Sequence, residues 1–400
     1  MSGDWDGTPS RRQLLRLGAG AVLGLAAPAI IGSRTASAAP LRHGEILTIP
    51  NLRLNPGQYR LAAGLRPTRK TGIRLGLDTT VGRDQGKSII HNYGHGGAGI
   101  TLSLACSARV TKAVSDLVGR GALPRVAVIG SGVAGLTVAR DLVAKWPRLA
   151  LRILTKDQSL EDSTSWIAGG QFSPSGIIQG YQNNPQALRD LVQEAFDRIK
   201  GFSAATRRAY GIRERFNYSL ADVGELRFAA RTLGEPNVGN LPFDGLKSHD
   251  QGHEYKTWLI EPQIFLHQLL REVQAKGARV RWGHPVTSTA DLLQLPESVI
   301  INCSGLGSYD LVSDHDLTAV EGQLVLIDNP QGRLKYFVSG GCNGETSYLF
   351  CRSADIVIGG STDDVHIAPH RIPVAHRDAA KAAAIVTRMR HFLAGEISQC

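Results

Sequence analysis

Three glycines, Gly130, Gly132 and Gly135, follow directly on the apolar run Val126 to Ile129. At that spacing the first permits a tight turn, the second lets backbone approach a pyrophosphate, and the third lets a helix pack on the strand. The chemistry implied is the holding of a dinucleotide at the start of a helix. A second cluster, His91-Asn92-Tyr93-Gly94-His95-Gly96-Gly97-Ala98-Gly99-Ile100-Thr101, brings several backbone N–H groups towards one anion, ahead of a helical stretch whose positive end adds to them. A third, Asp162 to Phe172, is small and hydroxylated, and its Ser163, Thr164 and Ser165 suit phosphate oxygens. His91 and His95 have no carboxylate or third ligand at metal spacing; they read as hydrogen-bonded structural histidines, and no metal is expected.

The elements that must position these residues are visible around them. Ala134 to Trp146 places Leu136, Ala139, Leu142 and Val143 on one helical face, and Pro147 stops it. Leu149 to Leu154 reads as a second buried strand, with Asp157 at the distance where an acid meets an adenosine ribose. Further helices are expected over Ile100 to Val118, Pro185 to Phe202, Gln263 to Gly277 and the tail from His376. Strands are expected over Ala278 to Trp282, Ser298 to Asn302, Gln323 to Asp328, Tyr336 to Ser339, Ser347 to Phe350 and Asp355 to Ile358. Leu41 to Tyr59 has no period, Gly64 to Leu75 is cationic and turn-rich, and Ser173 to Pro262 is mixed.

A leader precedes all of this. Ser10-Arg11-Arg12-Gln13-Leu14-Leu15-Arg16, a Gly- and Ala-rich apolar run to Ile31 and a small-residue site at Ala36-Ser37-Ala38 form a twin-arginine export signal. That route carries folded proteins, which suits an enzyme loaded with cofactor in the cytoplasm. The mature protein is expected outside the cytoplasmic membrane, with no stable membrane insertion after cleavage. The 42% hydrophobic and 20% charged composition is that of a globular enzyme of two domains. The formal charge of +10 (45 minus 35) falls to about +8 once four leader arginines and two aspartates are removed. No Lys/Arg run stands out, so the excess reads as solubility and attraction of anionic ligands rather than nucleic-acid binding. The five cysteines form no C-x-x-C pair, and Cys342 and Cys351, flanking Asn343-Gly344, are the two that an oxidising compartment could bridge.

Several short motifs combine into a resemblance to the D-amino acid oxidase family of flavoproteins. They are Gly130-Ser131-Gly132-Val133-Ala134-Gly135, Ser163-Thr164-Ser165 with Ala168-Gly169-Gly170, Asn302-Cys303-Ser304-Gly305, Gly322-Gln323, Tyr348 with Gly359-Gly360, Gly64-Leu65-Arg66-Pro67, and the most specific, His91 to Gly97. The resemblance implies an α/β fold, a Rossmann-like FAD-binding domain plus a mixed-sheet substrate domain. It also implies a circular permutation, because the Arg66-Pro67 and His91 to Gly97 motifs, C-terminal in the family, here precede the glycine fingerprint. The strand at Ile89 to Tyr93 should then join the sheet beside Val126 to Ile129, with Gly119 to Pro124 a short link. Divided accordingly, the chain is a signal (1–38), a permuted segment (39–124), a dinucleotide-binding unit (125–180), a first substrate-domain part (181–262), an FAD-domain continuation (263–310) and the substrate-domain sheet with its tail helix (311–400).

The resemblance also implies roles. Arg66 clamps a substrate carboxylate, Tyr348 donates a hydrogen bond to it, and the Gly97 carbonyl accepts from the substrate amine. FAD contacts fall to Gly130, Gly132, Val133, Ala134, Gly135, Asp157, Ser163, Thr164, Ser165, Gly169 and Ser304, with Gly96, Gly99 and Thr101 at the flavin. The substrates implied are an amino acid and dioxygen, and the products a keto acid, ammonia and hydrogen peroxide. Three departures stand against the family pattern. A second tyrosine found upstream of Tyr348 in many members is replaced near Gly344, Lys156 competes with Asp157 for the ribose position, and Arg69 and Arg74 lie close to Arg66. The activities left open are a D-amino acid oxidase, a dehydrogenase passing electrons to a membrane acceptor, a glycine or sarcosine oxidase, and a flavin-bound module without turnover.

Overall fold

The structure, a computed structural model, describes residues 46–55, 57–119, 123–219, 237–243, 251–342, 345–368 and 370–394. The expected export signal, part of the Gly119 to Pro124 link and Cys400 lie outside the described residues.

Among the described residues fifteen strands run in chain order: β1 Arg60–Arg69, β2 Arg74–Leu77, β3 Ser88–Tyr93, β4 Val126–Ile129, β5 Leu151–Leu154, β6 Ile212–Ser219, β7 Asn237–Asn240, β8 Gln251–Ile260, β9 Arg279–Arg281, β10 Val299–Asn302, β11 Leu317–Asp328, β12 Tyr336–Cys342, β13 Glu345–Cys351, β14 Asp355–Gly359 and β15 Asp363–Val365. The longer helices are α1 Gly99–Val118, α2 Val133–Lys145, α3 Pro185–Gly201, α4 Pro262–Ala275 and α5 Ala379–Leu393. The strands form a six-stranded sheet in the order β2-β3-β10-β4-β5-β9 and a nine-stranded sheet in the order β1-β11-β14-β13-β12-β6-β8-β7, with β15 on β11.

The six-stranded sheet is parallel through β3, β10, β4, β5 and β9. Its central strands, Val126-Ala-Val-Ile and Val299-Ile-Ile-Asn, are buried throughout and apolar but for Asn302, because both faces are covered. Val126, Val128 and Ile301 pack with α1, α2, α3 and α4 on one face, and Ala127, Ile129 and Ile300 with Leu292 and Leu311 on the other. The strand expected beside β4 is one place further out: β3 joins this sheet, but β10 lies between the two.

The nine-stranded sheet alternates. Leu317 to Gly322 shows buried and half-buried residues in turn, as a strand with two different faces must, and Gln323 to Val325 are buried on both faces. One face packs Tyr218, Val338, Leu349 and Ile358 against Ile385, Met389 and Phe392 of α5. The other packs Ala62, Leu324, Phe337, Phe350 and Val357 towards Ile167. The turn-rich reading of Gly64 to Leu75 is corrected here. Residues 60–69 form one long strand, and Pro67 is tolerated because β1 lies at the sheet edge. Cys351 is a free, buried thiol. Its backbone partner is Ile356, whereas Cys342 pairs with Glu345 at the far end of β13. Six residues of strand, about 20 Å, separate the two, too far for a disulfide.

Candidate active site

The glycine turn after β4 has the geometry its spacing requires. Gly130 sits at φ 105°, and a Cβ there would stand 2.5 Å from the Cys303 carbonyl oxygen, so β10 and the turn meet backbone to backbone. A Cβ on Gly135 would collide with the Gly130 carbonyl. Gly132 caps α2 without a side-chain hydrogen bond, and the Val133 N–H donates to Ser165 Oγ at 3.0 Å. The Ala134 N–H lies in the same first turn, at the positive end of the helix.

Asp157 lies beyond β5 with its carboxylate 3.4 Å from Ser131 Oγ and 3.3 Å from Thr155 Oγ1, and burial pushes its pKa upward. Lys156 points to solvent, so Asp157 is the residue facing the turn. Ser304 is packed against Gly130, its hydroxyl bonded to Asn302 and Ser308.

The second glycine turn sits at the seam of the two sheets. An isolated bridge joins Thr68, at the end of β1, to His95. Asp78 anchors the strand before it: its buried carboxylate accepts from His91 Nε2 at 2.8 Å and Arg74 at 3.0 Å. Burial works to raise the Asp78 pKa, but the His91 bond and the N–H groups of Val81 and Thr80 outweigh it and hold the carboxyl far below its usual range. Asp314 likewise accepts from the Tyr93 hydroxyl at 2.7 Å and Arg69 at 2.8 Å. Arg69 and Arg74 are therefore committed to carboxylates, which leaves Arg66 as the arginine of this segment bonded only to carbonyls.

Gly96 adopts φ 51° and leads to α1, whose first turn carries no side-chain cap. A Cβ on Gly99 would be 3.5 Å from Val133, so the starts of α1 and α2 approach each other. His95 Nε2 is buried without a hydrogen-bond partner, and burial lowers that imidazole's pKa to about 4. Residues 173–176 lie over this turn. Thr101 Oγ1 donates to the Ser173 carbonyl at 2.8 Å and accepts its N–H, and Cβ atoms on Gly96 and Gly97 would meet the Gly176 and Ser175 carbonyls.

Arg66 and Tyr348 come together on the nine-stranded sheet. Arg66 donates to the carbonyls of Glu321 and Ser361 at 3.2 and 3.3 Å and lies over Gly322, where a Cβ would be 3.1 Å from its guanidinium. The Tyr348 ring lies over Gly359 and stacks on Phe350 at 4.5 Å and 15°. Gly359 is opposite Leu324, two residues from Gly322 on β11, so both side chains occupy one face above neighbouring strands. Burial raises the Tyr348 pKa, and the Arg66 charge lowers it in part.

The loop 163–170 closes over that face. Thr164 Oγ1 donates to the Leu65 carbonyl, Gly169 packs on Phe350, and Ser165 reaches α2, while the Ser163 hydroxyl is turned to its own loop at Leu160. Sequence reasoning missed three polar residues on the same face, Asn217, Tyr255 and Ser339. They carry no motif, and only the strand register brings them beside Tyr348.

The FAD dependent oxidoreductase (DAO) family profile matches residues 125–399. A D-amino-acid oxidase of Streptomyces coelicolor is 29% identical over 251 residues, covering 60% of this chain and 70% of the relative. A D-aspartate oxidase of Homo sapiens is 24% identical over 246 residues, covering 59% and 68%. Among solved structures, a glycine oxidase from Geobacillus kaustophilus aligns with a TM-score of 0.45 at 17% identity, over 69% of this chain and 79% of that one. The residues present fit an FAD: a turn after β4 in which Gly130 and Gly135 let main chain come close, two helix starts that approach each other with no side-chain bond from their N-cap residues, and an orphaned imidazole nitrogen at the seam.

Proposed function

The chain belongs to the FAD dependent oxidoreductase family, and from that premise we propose that it oxidatively deaminates a D-amino acid. The observation that carries this reading is the pair Arg66 and Tyr348, a cationic fork and a phenol side by side on one sheet face, above two glycines that leave room for them. That is the equipment for an α-carboxylate. The two relatives named above, both oxidases of D-amino acids, support the same substrate class.

FAD, when bound, supplies the two-electron acceptor, with dioxygen as the terminal oxidant. The chain's own residues do the rest. Arg66 exchanges its bonds to the Glu321 and Ser361 carbonyls for two parallel bonds to the substrate carboxylate. Tyr348, kept neutral by burial, donates its proton to the same group. The Gly97 carbonyl accepts from the amine and so aims the α-carbon. The start of α1 and its dipole favour negative charge at the seam. The α-carbon gives up a hydride and the amine ends as an imine, which water converts to keto acid and ammonia. Two electrons and two protons leave on dioxygen as hydrogen peroxide.

We read the chain as circularly permuted, its residues 60–118 taking the place of a C-terminal segment. The start of the family match at Arg125 supports this. We also read the twin-arginine leader as an export signal that delivers a folded, flavin-loaded enzyme.

The test is a peroxide assay in air on the purified yellow protein, with D- and L-amino acids, glycine and sarcosine. Peroxide with D-enantiomers is expected. Turnover only with an artificial electron acceptor would replace the oxidase by a dehydrogenase, and silence in both would refute the activity.

A further inference from the structure

A row of hydrogen bonds runs from the Asp78 carboxylate to the turn behind the glycine fingerprint. His91 on β3 and Asn302 on β10 are register partners on neighbouring parallel strands, and both are buried. His91 Nε2 lies 2.8 Å from Asp78 Oδ2, and His91 Nδ1 lies 3.3 Å from Asn302 Nδ2. Asn302 Oδ1 accepts from the Ser304 N–H at 3.1 Å and from the Ser304 hydroxyl at 2.7 Å. Asn302 Nδ2 also donates to Ser308 Oγ at 3.1 Å.

These contacts fix where the histidine proton sits. A backbone N–H can only donate, so the Ser304 bond identifies the Asn302 oxygen and leaves the amide NH2 facing His91. An NH2 donates in turn, so Nδ1 is the acceptor, and the imidazole carries its proton on Nε2, where it meets Asp78. The charged groups around the ring agree with a neutral imidazole. Burial lowers the His91 pKa and Arg74 works with it, against Asp78 and Asp314. Arg74, 3.0 Å from Asp78 Oδ2, already supplies that carboxylate with a cation. Tyr93, edge-on to the ring at 5.5 Å, gives its hydroxyl proton to Asp314, which also accepts from Arg69. A second proton on Nδ1 would set two donors against each other.

The far end of the row is the cofactor turn. A Cβ on Gly130 would stand 2.5 Å from the Cys303 carbonyl oxygen and 3.5 Å from Ser304 Cα. The Cys303 N–H donates to the Ile129 carbonyl at 2.9 Å, so the chain at 303–304 lies against the glycine turn on main-chain contacts. Asn302 grips Ser304 twice, at its N–H and at its hydroxyl. That grip needs the amide oxygen turned towards Ser304, and the acceptor on His91 favours this orientation.

We propose that His91 is a positioning residue for the flavin cofactor: with its proton on Nε2 it anchors the Asn302 amide, which fixes the chain at Ser304 against Gly130 and so shapes the dinucleotide cradle. The proposal rests on the flavin site and is independent of the substrate.

Two amide variants separate this role from simple packing. Asparagine carries its side-chain oxygen near the place of Nδ1 and can accept from Asn302. Glutamine places its amide near Nε2, where it serves Asp78 and leaves the Asn302 NH2 without that acceptor. The measurement is the dissociation constant of FAD at neutral pH, from quenching of flavin fluorescence by flavin-depleted, full-length protein. His91→Asn is expected to bind FAD within about threefold of wild type, and His91→Gln at least about tenfold more weakly. A histidine that only fills space or holds Asp78 predicts the reverse order, so His91→Gln binding as tightly as His91→Asn, or more tightly, overturns the proposal. Should neither variant fold, ring-nitrogen NMR of the 15N-histidine protein decides. One neutral ring is expected with its proton on Nε2, and Asn302→Asp, which puts an acceptor before Nδ1, should bring a proton to that nitrogen. No ring that responds in this way overturns the proposal too. Failure of the wild type to bind FAD refutes the flavin site itself, a different result from binding that ignores the choice of amide.

Discussion

The two sheets offer a ligand different kinds of group. In the six-stranded sheet the groups aimed at a ligand are mainly backbone: the turn from Gly130 to Gly135, the uncapped start of α2, and the start of α1 after Gly96. They need small residues at close sequence spacing. In the nine-stranded sheet the groups are side chains on one face, Arg66 from β1, Tyr348 from β13, Ser339 from β12 and Asn217 from β6. These strands come from both ends and the middle of the chain. Backbone recognition is local and tolerates divergence around it, whereas side-chain recognition depends on register across distant strands.

The largest effect should come from striking the backbone cradle. Gly130→Val places a β-branched residue at φ 105° with a Cβ against the Cys303 carbonyl. It is expected to abolish flavin binding and to destabilise the protein by about 3 kcal/mol or more. Visible flavin absorbance and the urea midpoint measure both. A yellow, stable variant would break the assignment of this turn.

Arg66→Ala tests the other sheet and should separate the two functions. Flavin content is expected to stay, while kcat/KM falls by about 10³-fold, close to 4 kcal/mol of lost carboxylate binding. Retained turnover would remove Arg66 from the site. Loss of flavin instead would mean that the sheets do not divide the work as described.

His95, at the seam, gives a smaller effect that depends on pH. Its imidazole titrates near 4 in the folded protein, through burial, against about 6.5 when unfolded. Between those values the unfolded chain binds a proton that the folded chain does not, so stability is fully present above the unfolded value and falls as pH drops through the window. The whole span is worth about 3 kcal/mol. Denaturant titrations of flavin-free protein across that range should show this slope, and His95→Gln should remove it. A bound ligand that gives Nε2 a partner should change the slope, which would sharpen the seam's role.

The ease with which each region could be read follows the same division. The strands at Val126, Leu149 and Ser298 and the helices at Ala134, Gln263 and Pro185 appear in the structure within a few residues of their expected bounds. Each is long or fully apolar and ends at a glycine, a proline or a cap. By contrast β6 and β8 were submerged in a stretch that reads as mixed. Ile212 to Ser219 carries Arg213, Glu214, Arg215 and Asn217; Arg213 bonds Glu261, Glu214 lies against Lys256, and Asn217 bonds Ser339 and Gln171. Polar residues satisfied by distant strands look like loop until the sheet is assembled. β1 was misread as turns for a related reason: its arginines and Pro67 are compatible with a strand only at an edge.

What the sequence determined by itself is the cofactor half: glycine spacing, the strand before it and the helix after it constrain backbone directly, since only glycine lets another main chain come so close. What only the tertiary structure decided is the substrate half. The insertion of β10 between β3 and β4, the meeting of Arg66 with Tyr348, and the row of Gln171, Asn217 and Ser339 all depend on which strands pair and in what register. No local pattern encodes that pairing, because hydrogen bonds between strands are alike for nearly every residue. It is the summed burial of both sheet faces that selects one register over the others.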